Sequence, residues 1–291
     1  MPPNVYETPG AFRHALESRI NARVTSNAEL QRLRRLVAID RLLARLVMDQ
    51  SVPWIVKGGY SFEVRYGMSA RTTKDIDLSL PGLSLDIQSS KGTVQQLWED
   101  LQDAAARDLD DHFVIHIAAP QQEFDAPPAG GARFPVEVLL DRRFFAKFHL
   151  DVGIGDIALG SPEWASGEEF FAFAGIAPAR FRILPIAQQF AEKVHSYTLP
   201  RKSGINSRVK DLVDIVLILD KDAPARELVK PAIEATFNHR GTHNIPVEIP
   251  PAPPTWTSSF TAMAKQVNIS ETTVEGAVAR VNQPALRRRR R

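Results

Sequence analysis

The chain contains no cysteine. That excludes a disulfide framework and any thiolate metal site. No uninterrupted apolar run approaches the length needed to span a bilayer, about 20 residues. The opening residues Met1-Pro2-Pro3-Asn4 lack a basic region followed by an apolar stretch, so no secretory signal is expected. These gaps lead to the expectation of a cytoplasmic protein with no membrane partner. Net charge is also scarce. Lys and Arg number 36 against 34 Asp and Glu, a formal balance of +2. The molecule as a whole therefore does not attract nucleic acid, and any such attraction must come from local clusters.

What is present is an ordinary globular composition over 291 residues, enough for two modest domains. Arg32, Arg34, Arg35, Arg41 and Arg45 cluster near the N-terminus. Arg201, Lys202, Arg208 and Lys210 form a second group, and Arg287 to Arg291 end the chain. Such clusters could form a basic surface for an RNA backbone.

Hydrophobic periodicity divides the chain further. Residues 8–50 read as helical, with Leu30, Leu33, Val37, Ile39, Leu42, Leu43 and Leu46 at spacings of three and four. A strand is expected at 53–59, a short helix over Tyr60 to Tyr66 ended by Gly67, and a strand over 74–80 stopped by Pro81-Gly82. A helix follows at 93–110, a strand over His112 to Ile117, a turn from Asp125 to Gly131, and strands over Phe134 to Leu140 and Lys147 to Val152. Pro185 opens a helix through Tyr197, and Ser207 could cap another from Arg208 to Leu219. The rest is expected to be helical apart from the proline-rich stretch Ile245 to Pro254.

The most informative stretch runs from Trp54 to Leu80. Trp54-Ile55-Val56 reads as a buried strand followed at once by Lys57, Gly58 and Gly59. Glycines there allow close backbone approach and leave N–H groups free to face an anion. Further on, Asp75 and Asp77 alternate with Ile76, which on a strand puts both carboxylates on one face. Neighbouring carboxylates repel unless a cation lies between them, and Mg²⁺ suits hard oxygen ligands completed by substrate phosphates. A phosphate-cradling turn beside two carboxylates suggests phosphoryl or nucleotidyl transfer. Arg71, Thr73 and Lys74 just precede the acidic strand and could contact phosphates as well.

This segment resembles the core of the DNA polymerase β-type nucleotidyltransferase superfamily. More narrowly, Val56-Lys57-Gly58-Gly59 with Arg71-Thr72-Thr73-Lys74-Asp75-Ile76-Asp77-Leu78 is similar to the AbiEii/AbiGii family, the MenT-like nucleotidyltransferase toxins. Gln188-Gln189-Phe190-Ala191-Glu192-Lys193-Val194-His195 and Arg208-Val209-Lys210-Asp211-Leu212-Val213-Asp214 resemble two further blocks of that family, in the right order. Family members usually carry Ser or Thr directly after the second glycine. Here Tyr60 holds that place and Ser61 follows, so either the Ser61 hydroxyl or backbone N–H groups would meet the phosphates.

The resemblance implies an α/β (α+β) fold, with a polymerase β-like core of mixed sheet flanked by helices over 1–180. A mostly helical domain over 181–291 would complete the active site and end in the basic tail 287–291. It implies an NTP substrate, two Mg²⁺ ions held by Asp75 and Asp77, and a third carboxylate from a later strand. Asp151 is the best candidate for that carboxylate by position, with Asp141 a rival and Asp156 a weaker alternative. Lys57, Gly58, Gly59, Ser61, Arg71, Thr73 and Lys74 would bind the nucleotide. Lys193 would neutralise triphosphate charge, and Asp211 or Asp214 would act as a base or orient that lysine, Asp214 matching the family position best. The implied role is that of a toxin in a type IV-like toxin–antitoxin system. It would add NMP to RNA at the tRNA 3′ acceptor end and block translation, under control of a cognate, winged-helix antitoxin. Protein or antibiotic acceptors, and a non-catalytic binding role, are the competing readings.

Overall fold

The structure, a computed structural model, describes residues 6–81, 90–124, 130–201, 204 and 206–283. Residues 1–4, Gly82, most of the expected Asp125–Gly131 turn, Lys202 and the Arg287–Arg291 run lie outside the described residues. The chain divides into two compact units, neither continuous in sequence. The first comprises Met1–Val64, Thr72–Asp156 and Glu163–Ile183, and the second Arg65–Arg71, Ile157–Pro162 and Leu184–Arg291.

Among the described residues, the first unit is built on a mixed eight-stranded sheet. Its strands are β1 (Ile55–Lys57), β2 (Asp75–Leu80), β3 (Phe113–Ile117), β4 (Gln122–Phe124), β5 (Gly131–Leu140), β6 (Arg143–Ile154), β7 (Glu163–Ser166) and β8 (Arg180–Ile183). They run in the order β3-β5-β6-β2-β1-β8-β7, with β4 also on β5. β2 is antiparallel to β1 and parallel to β6, so the acidic strand has a neighbour on each side.

The expected single helical region at 8–50 is two helices, α1 (Pro9–Asn21) and α2 (Asn27–Leu46). The reason for the break is a capping box. Ser26 Oγ accepts from Glu29 N at 3.2 Å, and Glu29 Oε2 accepts from Thr25 N at 2.7 Å. α2 packs against β6 and β8, while α4 (Ser90–Ala105) packs against β3 and β5. Val37, Leu42 and Leu43 join Val56, Ile76, Leu78, Leu150 and Val152 in one core. β6 alternates as expected, with Phe148, Leu150 and Val152 buried and Lys147, His149 and Asp151 facing outward.

The second unit is helical: α5 (Ile186–Thr198), α6 (Val209–Lys221), α7 (Arg226–Arg240), α8 (Thr257–Val267) and α9 (Val274–Val281). α6 is buried from Asp211 through Ile218, so helices α5, α8 and α9 gather round it. Ser207 does not cap it. Arg208 holds the cap position without a side-chain bond, and Asn206 Oδ1 instead accepts from Arg208 N at 3.0 Å. The proline-rich stretch stays non-helical and is pinned by hydrogen bonds. Tyr197 Oη donates to Pro250 O at 2.8 Å, and Asn282 Oδ1 accepts from Ile249 N at 2.8 Å. No helix among the described residues is long and apolar enough to cross a membrane.

Candidate active site

Asp75 and Asp77 stand on the same face of β2 with Ile76 fully buried between them on the other. In the parallel register with β6, Asp75 lies opposite His149 and Asp77 opposite Asp151. Parallel register partners point to one side of a sheet, so three carboxylates and a histidine share one patch. His149 Nδ1 lies 3.0 Å from Asp75 Oδ1. β5 adds Arg133 to the same patch, opposite Asp151. Arg133 grips Asp151 with two bonds of 2.7 and 2.6 Å and stands 4.0 Å from Asp75 Oδ2. The hydrogen bonds to Asp151 outweigh partial burial and raise the Arg133 pKa. Neither Arg133 nor the Asp75–His149 contact was expected from the sequence. The usable signal was Arg133 as a polar position alternating with Phe134 and Val136, but register cannot be read from one strand.

The donor chemistry suits a divalent cation. Asp75 and Asp77 offer hard oxygens side by side, and both are partly exposed. Asp151 belongs to the same patch but is engaged by Arg133. Consistent with that, the described residues contain no preassembled group of three or more acidic or histidine ligands.

The glycine turn is tighter than expected. α3 (Gly58–Tyr66) begins at Gly58 itself, so both glycines form the helix N-terminus rather than precede it. Gly58 takes φ of +65°, and a Cβ there would stand 1.9 Å from Asp77 Oδ2. The residue is thus fixed as glycine by conformation and by Asp77. Tyr60 is buried in the core, its ring 6.1 Å from that of Phe181. Ser61 is also wholly buried and donates to Gly58 O at 2.8 Å. This placement buries the Ser61 hydroxyl against the Gly58 carbonyl. Lys57 Nζ is bonded to Asp156, which accounts for that carboxylate as a lysine partner.

The segment before β2 is anchored by Glu63. Its Oε1 accepts from Thr73 N at 2.7 Å, and its Oε2 accepts from Arg32 Nε at 2.9 Å. Burial raises the Glu63 pKa against the pull of Arg32. Thr73 Oγ1 donates to Asp75 O at 3.0 Å, which fixes the entry to the acidic strand. Lys74 is exposed.

In the second unit, Lys193, Asp211, Asp214 and Arg71 form one cluster. Lys193 Nζ lies 2.9 Å from Asp211 Oδ1 and 2.8 Å from Asp214 Oδ2. Arg71 meets Asp214 with two bonds of 2.8 and 2.9 Å. Burial would raise the Asp214 pKa, but Lys193 and Arg71 together hold it below the usual carboxylate range. Burial likewise opposes the charge on Lys193, and the two aspartates more than offset it. Asp214 is fully buried and paired with both Lys193 and Arg71.

The N-terminal arginines do not form the expected basic surface. Arg32, Arg41 and Arg45 are buried. Arg41 pairs with Asp40, and Arg45 meets Asp111 with bonds of 2.9 and 2.7 Å. Arg34 pairs with Glu17 at 2.7 Å. Arg32, Arg34 and Arg45 have internal ion-pair partners distant in the chain, Arg41 pairs with its neighbour Asp40, and Arg35 alone of the five has no ion pair among the described residues. Arg201 Nη2 donates to Ser196 O at 2.7 Å, while Arg208 and Lys210 are exposed. Asp141 sits in the turn between β5 and β6 at φ of +53°, paired with Arg143.

A mixed sheet carrying paired carboxylates beside a glycine-led helix describes a nucleotidyltransferase. The sequence model of the nucleotidyl transferase AbiEii toxin family of type IV toxin–antitoxin systems matches residues 41–283, and the chain belongs to that family. No curated protein matches it. Among solved structures it is similar to MenT4, a nucleotidyltransferase toxin from Mycobacterium tuberculosis H37Rv, at 13% identity and a TM-score of 0.45, over 96% of this chain and 100% of that one. It is also similar to an H. pylori protein described as a nucleotidyltransferase, at 14% identity and a TM-score of 0.42, over 90% and 94%. The antibiotic-resistance factor ANT(2″)-Ia matches at 16% identity and a TM-score of 0.36, over 69% and 90%. Family membership makes the protein a toxin-type nucleotidyltransferase with an NTP substrate and a cognate antitoxin.

Proposed function

We propose that the protein transfers NMP from an NTP to the 3′ acceptor end of tRNA, in a Mg²⁺-dependent reaction that blocks translation. The observation that carries this reading is the shared face of Asp75 and Asp77, with Asp151 in register beside Asp77 and the glycine-led helix against it. Asp75 and Asp77 would hold Mg²⁺, with Asp151 contributing once Arg133 yields. Bound there, the metal would supply charge neutralisation for the phosphates and activation of the attacking hydroxyl.

The acceptor hydroxyl oxygen forms a bond to the α-phosphorus, the bond to the bridging pyrophosphate oxygen breaks, pyrophosphate leaves, and the hydroxyl proton passes to water. Backbone N–H groups of Gly58 and Gly59 would grip the outer phosphates at the positive end of α3. His149 would hold the Asp75 carboxylate in one orientation through Oδ1. Lys57, Thr73 and Lys74 would support the nucleotide-binding segments. Lys193 would place a cation against the triphosphate, with Asp211 and Asp214 fixing its ammonium and Arg71 holding Asp214. Control by a winged-helix antitoxin follows from the family reading.

The test is transfer of label to tRNA whose 3′-terminal diol has been destroyed by periodate, beside intact tRNA, protein extract and an aminoglycoside. Label confined to intact tRNA supports the reading. Label on oxidised tRNA removes the 3′ end as acceptor, and label on protein or aminoglycoside alone replaces RNA by that acceptor.

A further inference from the structure

The first unit has a cavity of about 1100 Å³ that opens beside Asp75 and runs outward over β6, β5 and β3. Gly58, Gly59 and Asp77 do not line it. β1, which leads into the glycine turn, flanks β2 on the edge opposite β6. The cavity and the turn therefore lie on opposite sides of the acidic strand. If the turn takes the outer phosphates of the NTP, the cavity is the side from which the acceptor reaches Asp75.

Its chemistry is that of a receptor for a polyanion. Arg35, Lys74, Arg133 and Lys147 line it, against the carboxylates of Asp75 and Glu137. The side chains of Arg35, Lys74 and Lys147 make no hydrogen bond or ion pair among the described residues. Arg35 is the telling residue. It is half-buried on α2, and its Nε is buried with no hydrogen-bond partner. An unpaired guanidinium out of water is costly unless an anion completes it. Burial lowers its pKa, with Glu63 and Asp75 pulling the other way. Phe144, about half exposed at 48%, offers the cavity a flat apolar ring. Cations that track a backbone, beside an aromatic surface for a base, are the parts of a single-strand site. The volume lies above the roughly 300–1,000 Å³ usual for one small ligand. A polycationic aminoglycoside would meet four cations here.

We propose that this cavity is the acceptor site, holding the terminal nucleotides of a single-stranded RNA end, with Arg35 and Lys147 binding its phosphates and Phe144 stacking a base. The assignment rests on the nucleotidyl-transfer reading above and adds which surface receives the RNA.

The experiment is steady-state kinetics of the full chain with tRNA and NTP varied in turn, for wild type, Arg35→Ala and the exposed-site variant Lys147→Glu, with thermal melting to confirm folding. Binding of a fluorescent single-stranded RNA without NTP is read by anisotropy against salt. Each variant should raise the tRNA KM about tenfold, the loss expected for one charged hydrogen-bonded contact. The NTP KM should stay unchanged, and the salt slope of RNA binding should fall by about one for Arg35→Ala. If wild type labels tRNA and both folded variants keep its KM, the cavity is not the acceptor site. A rise in the NTP KM alone would assign it to the nucleotide instead. If wild type labels no RNA at all, the transfer reading itself fails and this assignment falls with it.

Discussion

Asp77 lies so close to Gly58 that a Cβ built on residue 58 would stand 1.9 Å from Asp77 Oδ2. One residue of the glycine-led helix and one carboxylate of the acidic strand thus set each other's position. Gly58→Ala must displace Asp77 and also place a side chain at φ of +65°. A loss of about 1–2 kcal/mol in stability is expected from the backbone alone. The displaced carboxylate should cost about a hundredfold in kcat/KM. Urea unfolding beside initial-rate measurement checks both, and near-normal activity would mean that Asp77 need not hold this position.

The buried Arg45–Asp111 pair is a structural contact within the first unit and should behave as one. Arg45→Ala leaves buried Asp111 with only Arg41, 3.8 Å away, and the Phe113 N–H, a loss of about 3 kcal/mol. RNA affinity and its salt slope should be unaffected at temperatures where the variant is folded. Denaturant titration and anisotropy separate the two effects, and a flattened salt slope would restore the arginine to an RNA surface.

Asp214 gives the second unit a pH dependence with a defined sign. Its carboxyl is held below its ordinary value in the folded protein by Lys193 and Arg71, against burial. Its stabilising contribution is then full above the unfolded carboxylate value of about 3.9 and is lost as the pH falls through the lower folded value. Asp214→Asn should cost about 3 kcal/mol at neutral pH, because two partly buried cations lose a shared partner, Lys193 keeping only Asp211. The gap between wild type and variant should close on acidification below about pH 4. Denaturation across pH tests this, and a gap independent of pH would show that charge is not the source.

Lys193→Ala should raise the NTP KM by about tenfold, the loss of one charge-assisted contact, and leave the tRNA KM in place. Asp214 retains Arg71 in that variant, so the fold should survive. Equal KM values for NTP in wild type and variant would reduce Lys193 to a structural ion-pair member.

The acidic strand, the glycines that open α3 and the alternation of β6 were legible because each is a local pattern: period two, a turn residue, a strand boundary. The same locality explains what was missed. β4, β7 and β8 are three or four residues long, too short for a period of two to stand out even where, as in Arg180–Ile183, polar and apolar residues alternate. The Ser26–Glu29 capping box was present in the sequence and would have divided the first helical region. Nothing local identifies Asp111 as the partner of Arg45, or Arg133 as the partner of Asp151, since both pairs depend on long-range packing. The arginine spacing on α2 therefore read as a basic surface when most of it is interior.

The most direct test of the central claim is transfer from each of four α-³²P-labelled NTPs to total tRNA with Mg²⁺, with wild type beside Asp75→Asn. Label on tRNA from wild type and none from the folded variant is the predicted result, and the productive NTP identifies the base. Equal labelling by the variant would contradict the role given to Asp75, and no labelling of tRNA by wild type with any NTP would contradict the proposed acceptor.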